Sequence, residues 1–286
     1  MCVHTDSNIE RDTPTVSVVM GVYNSATTLR EAVASIICQS YTDWELIICD
    51  DASSDGSYHL ACQLAQEDSR IRVLRNNRNA GCNVVLNRCI EEARGGYIAI
   101  MDSDDISLPT RLEKEVNFLD NNSEYSIVGS AIVHFDNNGE YMTMHYHSKP
   151  QPHHFAYGIP HAHPTCMMRR EAIVAVGMYL QHKQMQRVED YYLQARMYAA
   201  GYRGYNLQEV LLQYRDDGSA YARRSWQNRL NEVYTYSKAI GLLHLSPILH
   251  IVPLRHLLVG LLPRPLYQYL HRRSWQHHRN KELHQK

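Results

Sequence analysis

The chain has 286 residues, 44% of them hydrophobic and 21% charged, with a formal net charge of −1. Such a balance supports a full apolar core, one large domain with an appendage, and leaves no overall charge to drive binding to a polyanion. The charge is nonetheless split, because residues 242–286 hold seven Lys and Arg against one Glu while residues 1–241 hold 22 against 29.

The first fourteen residues, MCVHTDSNIERDTP, lack a basic segment followed by an apolar one, so no secretory leader is expected. Seven cysteines, at positions 2, 38, 49, 62, 82, 89 and 166, include no C-x-x-C pair. An odd number of scattered thiols, several in apolar runs, fits free cysteines packed in the core of a cytosolic protein.

From residue 14 short β-branched runs alternate with helix-period segments, which predicts βαβ units and an α/β fold with a mostly parallel central sheet. TVSVVM (15–20) is a strand, and 27–40 a helix with Leu29, Val33, Ile36 and Ile37 on one face. ELIICD (45–50) is a second strand, ending in Asp50 and Asp51, and the Ser and Asp residues of SSDGS cap the next helix. IRVLR (71–75) is a third strand, followed by a helix that Gly95 and Gly96 close. YIAIM then makes a fourth strand running into Asp102, Ser103, Asp104 and Asp105.

Beyond Pro109 the order changes. A helix (TRLEKEVNFLDNN) and a strand (YSIVGSAIVHF) are followed by residues 136–163, polar, rich in His and Tyr, and expected to be loop. A strand-helix pair over TCMMRREAIVAVGMY, a helix over EDYYLQARMYAAGY, a strand over 210–215 and a helical C-terminal region complete the series.

The aspartates raise the chemical question. Ligands of open α/β sheets bind outside the carboxyl ends of the strands, and the second and fourth strands both end there in crowded carboxylates. Three carboxylates in four positions beside an apolar strand repel one another, so water or a cation must compensate them. Oxygen ligands of this kind suit Mg²⁺ or Mn²⁺, with a diphosphate to complete the shell. No Gly-rich dinucleotide or P-loop fingerprint follows the first strand.

The segments PTVSVVMGVYNSATTLREAVASIICQSYTDWELIICDDASSDGS, NAGCNVVLNRCIEEARGGYIAIMDSDDISLPTRLEKEV, HPTCMMRR and RVEDYYLQARMYAAGY together resemble the successive signature blocks of glycosyltransferase family 2, over roughly residues 14–217. The resemblance, which extends to bacterial enzymes that build surface polysaccharides, implies the GT-A fold, with helices on both faces of the sheet. It also implies an inverting hexosyl- or N-acetylhexosaminyltransferase that uses a nucleotide-diphospho-sugar, with a glycan or lipid-linked oligosaccharide as acceptor. Carried over by position, Gly21, Val22, Tyr23 and Asn24 line the nucleotide pocket, with Tyr23 against the base. Asp51 accepts a hydrogen bond from uracil, which favours UDP, while Asp102, Ser103 and Asp104 form the DXD motif. Asp104 ligates the metal, Mn²⁺ or Mg²⁺, and Asp102 lies close to the ribose or the metal. Asp190 matches the general base, with Glu189 beside it. Many relatives have Pro or Thr where this chain has Gly21.

On that assignment the metal takes the place of a general acid at the departing diphosphate, and Asp190 accepts the acceptor's proton. Repulsion from Glu189 raises the pKa of Asp190 and the helix start lowers it. His145 with His147, and His161 with His163, are spaced as pairs of zinc ligands on a strand are, but no third ligand has metal-site spacing. His161 and His163 are instead expected on the acceptor side of the cleft, and Arg169 and Arg170 either at phosphate or in solvent. A catalytically silent sugar-nucleotide-binding or scaffold protein of the same fold is the alternative function, and a nucleotidyltransferase on a related sheet a third.

The expected organisation is an N-terminal tail (1–13), a transferase domain (14–217, with a nucleotide half 14–105 and an acceptor half 106–217) and a basic helical extension (218–286). Residues 242–271 are rich in Leu but broken by four prolines and two arginines, too short an apolar run for the ~20 residues a spanning helix requires. The pattern reads better as short helices lying in the interface of an anionic membrane, at its inner face, with an appendage packed on the domain or on a second subunit as the alternative. A nucleic-acid site is not expected, since basic and aromatic residues are not interleaved on a strand.

Overall fold

The computed structural model describes residues 13–185, 187–216 and 225–260. The expected tail 1–13, save its last residue, and the basic end of the extension lie outside the described residues.

The first half is the predicted βαβ series. Strands β1 (Val16–Val22), β2 (Trp44–Asp50), β3 (Ile71–Arg75) and β4 (Tyr97–Ile100) pair in parallel, in the order β3-β2-β1-β4. Their near-continuous apolar sequences follow from burial on both faces, since successive side chains alternate sides. Val16, Val18, Met20, Leu46 and Ile48 face helices α1 (Leu29–Ile37), α2 (Ser57–Glu67) and α4 (Arg111–Asn121). Val19, Ile47, Ile98 and Ile100 face α3 (Cys82–Glu92), α5 (Arg170–Ala175), α6 (Glu189–Ala199) and α7 (Trp226–Leu242).

The second half is mixed, where the sequence predicted a mostly parallel sheet. Strand β8 (Met167–Arg169) runs antiparallel to both β4 and β6 (Ile127–Asp136), while β6 pairs in parallel with β9 (Gly204–Arg215). Two-residue β5 (Ile106–Ser107) is antiparallel to β9. The region expected to be loop begins with β7 (Gly139–Met144), which forms a hairpin with β6. Its half-exposed, polar sequence hid it, because an edge strand carries no continuous apolar signal. Strand β9 likewise starts six residues before the apolar run that betrays it, and its ladder is interrupted by register shifts opposite Ala131.

After α7 the chain forms a 3-10 helix, Pro247–Leu254, and a short α8 (Arg255–Gly260). No helix of the described residues is long and apolar enough to cross a membrane.

Candidate active site

Because β1, β2 and β4 are parallel, their carboxyl ends open on one rim. The turn after β1 is braced to the turn after β2: Asn24 N–H donates to Ser53 Oγ (2.9 Å), and Ser54 N–H donates to Asn24 Oδ1 (3.0 Å). Both turns carry a left-handed residue, Asn24 (φ 53°) and Ala52 (φ 58°). Asparagine tolerates that conformation, whereas alanine stores strain of order 1–2 kcal/mol, which the surrounding hydrogen bonds hold in place. Tyr23, 51% exposed, presents a bare ring at the rim. Gly21 is explained by packing, since a Cβ there would sit 3.0 Å from Val85 on α3.

Asp51 is buried and heavily engaged. Its carboxylate accepts from Asn76 Nδ2 (2.8 Å), Ala80 N (2.9 Å) and Gly81 N (2.8 Å), fixing the loop that leads into α3. Of the roughly four lone-pair sites of a carboxylate, most are thus used within the protein. Neighbouring Asp50, fully buried, accepts from Ser53 N (3.2 Å) and pairs with Arg75 Nε (3.3 Å), and its Oδ1 has no partner.

At the end of β4, one carboxylate oxygen from each of Asp102, Asp104 and Asp105 lies within 4.8 Å of the others. Burial, and then the charges of Asp104 and Asp190, push Asp102 up to about 7. Asp105 is held well above the ordinary carboxylate range, first by burial and then by Asp102 and Asp104. One of its oxygens accepts from Arg215 N (2.8 Å), while Oδ2 is buried without a partner. Like charges so close, with an orphaned oxygen among them, fit a hard divalent cation. Ser103 anchors the turn to the first rim through its Oγ, 2.8 Å from Ser25 Oγ, and its carbonyl, which accepts from Thr28 Oγ1 (2.9 Å).

Two arginines hold this turn, and neither was legible as a site residue. Arg215, at the end of β9, donates from Nε to the Asp104 carbonyl (2.7 Å) and pairs with Glu31. Arg111, fully buried at the start of α4, donates to the Ile100 carbonyl (2.9 Å) and pairs with Glu115 (3.0 Å). It supplies the positive charge that partly offsets Asp102 and Asp105. In the sequence Arg111 is one of several charges on an amphipathic helix, with nothing to mark it as internal.

Glu189 and Asp190 open α6 near the β4 end, since Asp190 is among the charges that raise Asp102. Burial raises Asp190 to about 6, against the opposing N–H groups of Tyr191 and of Asp190 itself. The contest posed by the sequence is therefore decided by desolvation. Glu189 is also raised, by burial and then by Asp190, and its Oε2 is buried without a partner. Cys82, exposed at the start of α3, lies within electrostatic reach of Asp102, Glu189, Asp190 and Asp51, whose charges all act to raise its thiol.

The two histidines part company. His161 is fully buried with both ring nitrogens engaged, Nδ1 2.7 Å from Asn206 Oδ1 and Nε2 3.0 Å from Tyr198 Oη. Asn206 Nδ2 donates to the carbonyls of His147 and Pro160, which orients its Oδ1 toward the imidazole N–H. His161 is thus a structural pin, lowered by burial to about 4. His163, partly buried, sits near Glu189, with Nε2 2.7 Å from Tyr179 Oη, and burial lowers it also to about 4. Arg169 donates to the carbonyls of Tyr125 and Leu119, which ties β8 to the end of α4. Among the described residues no histidine joins a group of three potential metal ligands.

Known proteins share this architecture. A chain of Bacillus subtilis (strain 168) named as a glycosyltransferase, EpsE, is 39% identical over 261 residues, which cover 91% of this chain and 94% of that one. The structure of S. aureus TarS 1-349 in complex with UDP-GlcNAc is similar with a TM-score of 0.68 at 16% identity, covering 85% of this chain and 71% of that chain. The mannosyltransferase PcManGT from Pyrobaculum calidifontis, in complex with GDP-Man and Mn²⁺, is similar with a TM-score of 0.61 at 18% identity, covering 91% of this chain and 79% of that one. The family model for glycosyl transferase family 2 matches residues 17–177, the span that carries β1 to α5 and both aspartate-lined strand ends. With more than half of its length in that match, the chain belongs to glycosyltransferase family 2.

Proposed function

We propose that the cleft transfers a hexosyl or N-acetylhexosaminyl group, with inversion, from a UDP-sugar to a hydroxyl of a lipid-linked glycan during polysaccharide assembly. The observation that carries this reading is the carboxylate cluster of Asp102, Asp104 and Asp105 at the β4 end, with Asp190, at the start of α6, within electrostatic reach of it.

Tyr23 offers its exposed ring to the base, and Asp51, oriented by Asn76, Ala80 and Gly81, has capacity for one more N–H, as from uracil. The UDP-GlcNAc held by TarS supports this choice of donor. Asp104 and Asp102 hold Mn²⁺ or Mg²⁺, in keeping with the orphaned Asp105 oxygen and with the Mn²⁺ of PcManGT. Such an ion supplies positive charge against the diphosphate leaving group. Asp190, ionised above about pH 6, accepts the acceptor's proton as its oxygen attacks the anomeric carbon from the face opposite the diphosphate. Glu189 and His163 form the wall beside it. The Leu-rich, basic extension keeps the enzyme on the cytoplasmic face of a membrane, where a lipid-linked acceptor resides.

Slow hydrolysis of UDP-sugars in the presence of Mn²⁺ tests the reading. It should vanish in Asp190→Asn while UDP binding by calorimetry persists. UDP binding without turnover of any donor, in the wild type, would instead identify a silent sugar-nucleotide-binding protein.

A further inference from the structure

Large apolar side chains that face solvent are scattered singly over most of the surface, as is usual. The segment after α7 is different. Ile248, Ile251, Leu254 and Leu258 are 65%, 61%, 44% and 66% exposed. The first three lie on the 3-10 helix, where residues three apart eclipse, so they form one straight ridge that Leu258 on α8 prolongs. A contiguous ridge of this kind marks a contact surface.

The other side of the segment is fixed to the protein. Arg255 donates to the Tyr157 carbonyl, Arg229 Nη1 donates to the His256 carbonyl (2.8 Å), and His256 pairs with Glu232 (2.7 Å). Tyr157 belongs in turn to the lining of a cavity of about 630 Å³, together with Tyr146, His147, His154 and Gln208. The rings of His147 and His154 stack 4.1 Å apart at 5°. Tyr146, on the lining of this cavity, lies within electrostatic reach of Asp190. Flat rings with amide and imidazole nitrogens suit the faces and hydroxyls of a sugar.

What covers the ridge is decided by charge. The sequence continues directly into Leu261 and Leu262, and then into Arg264, Arg272, Arg273, Arg279 and Lys281 with a single Glu282. A second copy would set this basic segment against its like, whereas an anionic bilayer neutralises it while accepting the apolar side chains. We propose that the ridge Ile248, Ile251, Leu254 and Leu258 docks on an anionic phospholipid bilayer, so that the cavity beside Tyr157 opens at the membrane surface and admits the polar head of a lipid-linked acceptor. The acceptor part rests on the glycosyltransferase reading above; the docking surface does not.

The test uses the full chain and vesicles of phosphatidylglycerol and phosphatidylethanolamine, with phosphatidylcholine vesicles as the neutral control. The wild type should co-sediment with the anionic vesicles only. Ile248→Ser combined with Ile251→Ser should weaken that binding at least about tenfold, with UDP-sugar hydrolysis unchanged. Anionic vesicles should slow amide exchange over 247–260 and at 154–158, and leave the 50–55 turn unaffected. Equal binding by the variant, no binding by the wild type, or a dimer that the variant dissociates would each overturn the proposal. Vesicle binding without any donor hydrolysis would instead leave the docking surface standing and remove the catalytic reading.

Discussion

Two polar clusters lie at the heart of this protein, and they are built on opposite principles. Around His161 every donor meets an acceptor: Gly204 N–H, Tyr198, His161 and Asn206 form an unbroken chain that ends on the carbonyls of His147 and Pro160. Around Asp102 three carboxylates crowd together, Asp102 and Asp105 are raised in pKa despite Arg111, and one oxygen of Asp105 is left unpartnered. A satisfied buried network stabilises a fold, whereas an unsatisfied one costs stability and is kept for what it binds. His161 is fully buried and Asp102 half-buried, both at strand or loop ends, yet only the second sits in a cluster that lacks its partners.

Substitutions should separate the two clusters. The largest effect is expected from Asp190→Asn, which should lower kcat by about 10²–10⁴ with little change in UDP affinity or in folding, as measured by steady-state kinetics and calorimetry. His161→Ala should do the reverse, destabilising the fold by about 3 kcal/mol in urea titrations by opening a cavity and stranding Asn206 and Tyr198, with activity per folded molecule largely kept.

Asp102→Asn should raise the stability of the metal-free protein at pH 7.5 by about 1–3 kcal/mol, because it removes a carboxylate whose charge the fold disfavours. The same change should abolish stabilisation by Mn²⁺ with UDP. An equal Mn²⁺ response in wild type and variant would break the comparison.

The smallest effect is a matter of pH. His161 and His163 titrate near 4 when folded and near 6.5 when unfolded, so their contribution is complete above about pH 6.5 and is lost as pH falls toward 4. Asp102 and Asp190 are raised, so their cost is present at neutral pH and is relieved as pH falls through about 7 and 6 toward the unfolded value of 3.8. In the wild type these trends oppose each other. In Asp102→Asn the loss of stability between pH 6.5 and 4 should be steeper, by about 1–2 kcal/mol over the range. The acid limb of kcat should lie near pH 6, the value to which burial raises Asp190.

Legibility followed the range of the interactions. The strands up to β4 and the helices between them announce themselves, because burial on both faces forces apolar runs and helical periodicity into the sequence itself. The aspartate-lined rim was visible for the same reason, since Asp50, Asp51 and Asp102 through Asp105 each follow directly on such a run. Strand β7 was missed because its half-exposed residues carry no such pattern. Arg215 and Arg111 were missed because their partners, Asp104 and Ile100, come from other elements. The same holds for Asn76, Ala80 and Gly81, which turn Asp51 into a brace.

The linear order of residues thus settled the parallel half of the sheet, the family and the presence of carboxylates at the strand ends, all of which depend on neighbours along the chain. Only folding decided that β8 returns antiparallel between β4 and β6, that His161 is sealed while His163 faces Glu189, and that Asp190 is raised by burial. Those outcomes depend on which groups from distant segments exclude water together, and desolvation is a property of the assembled interior that no local pattern encodes.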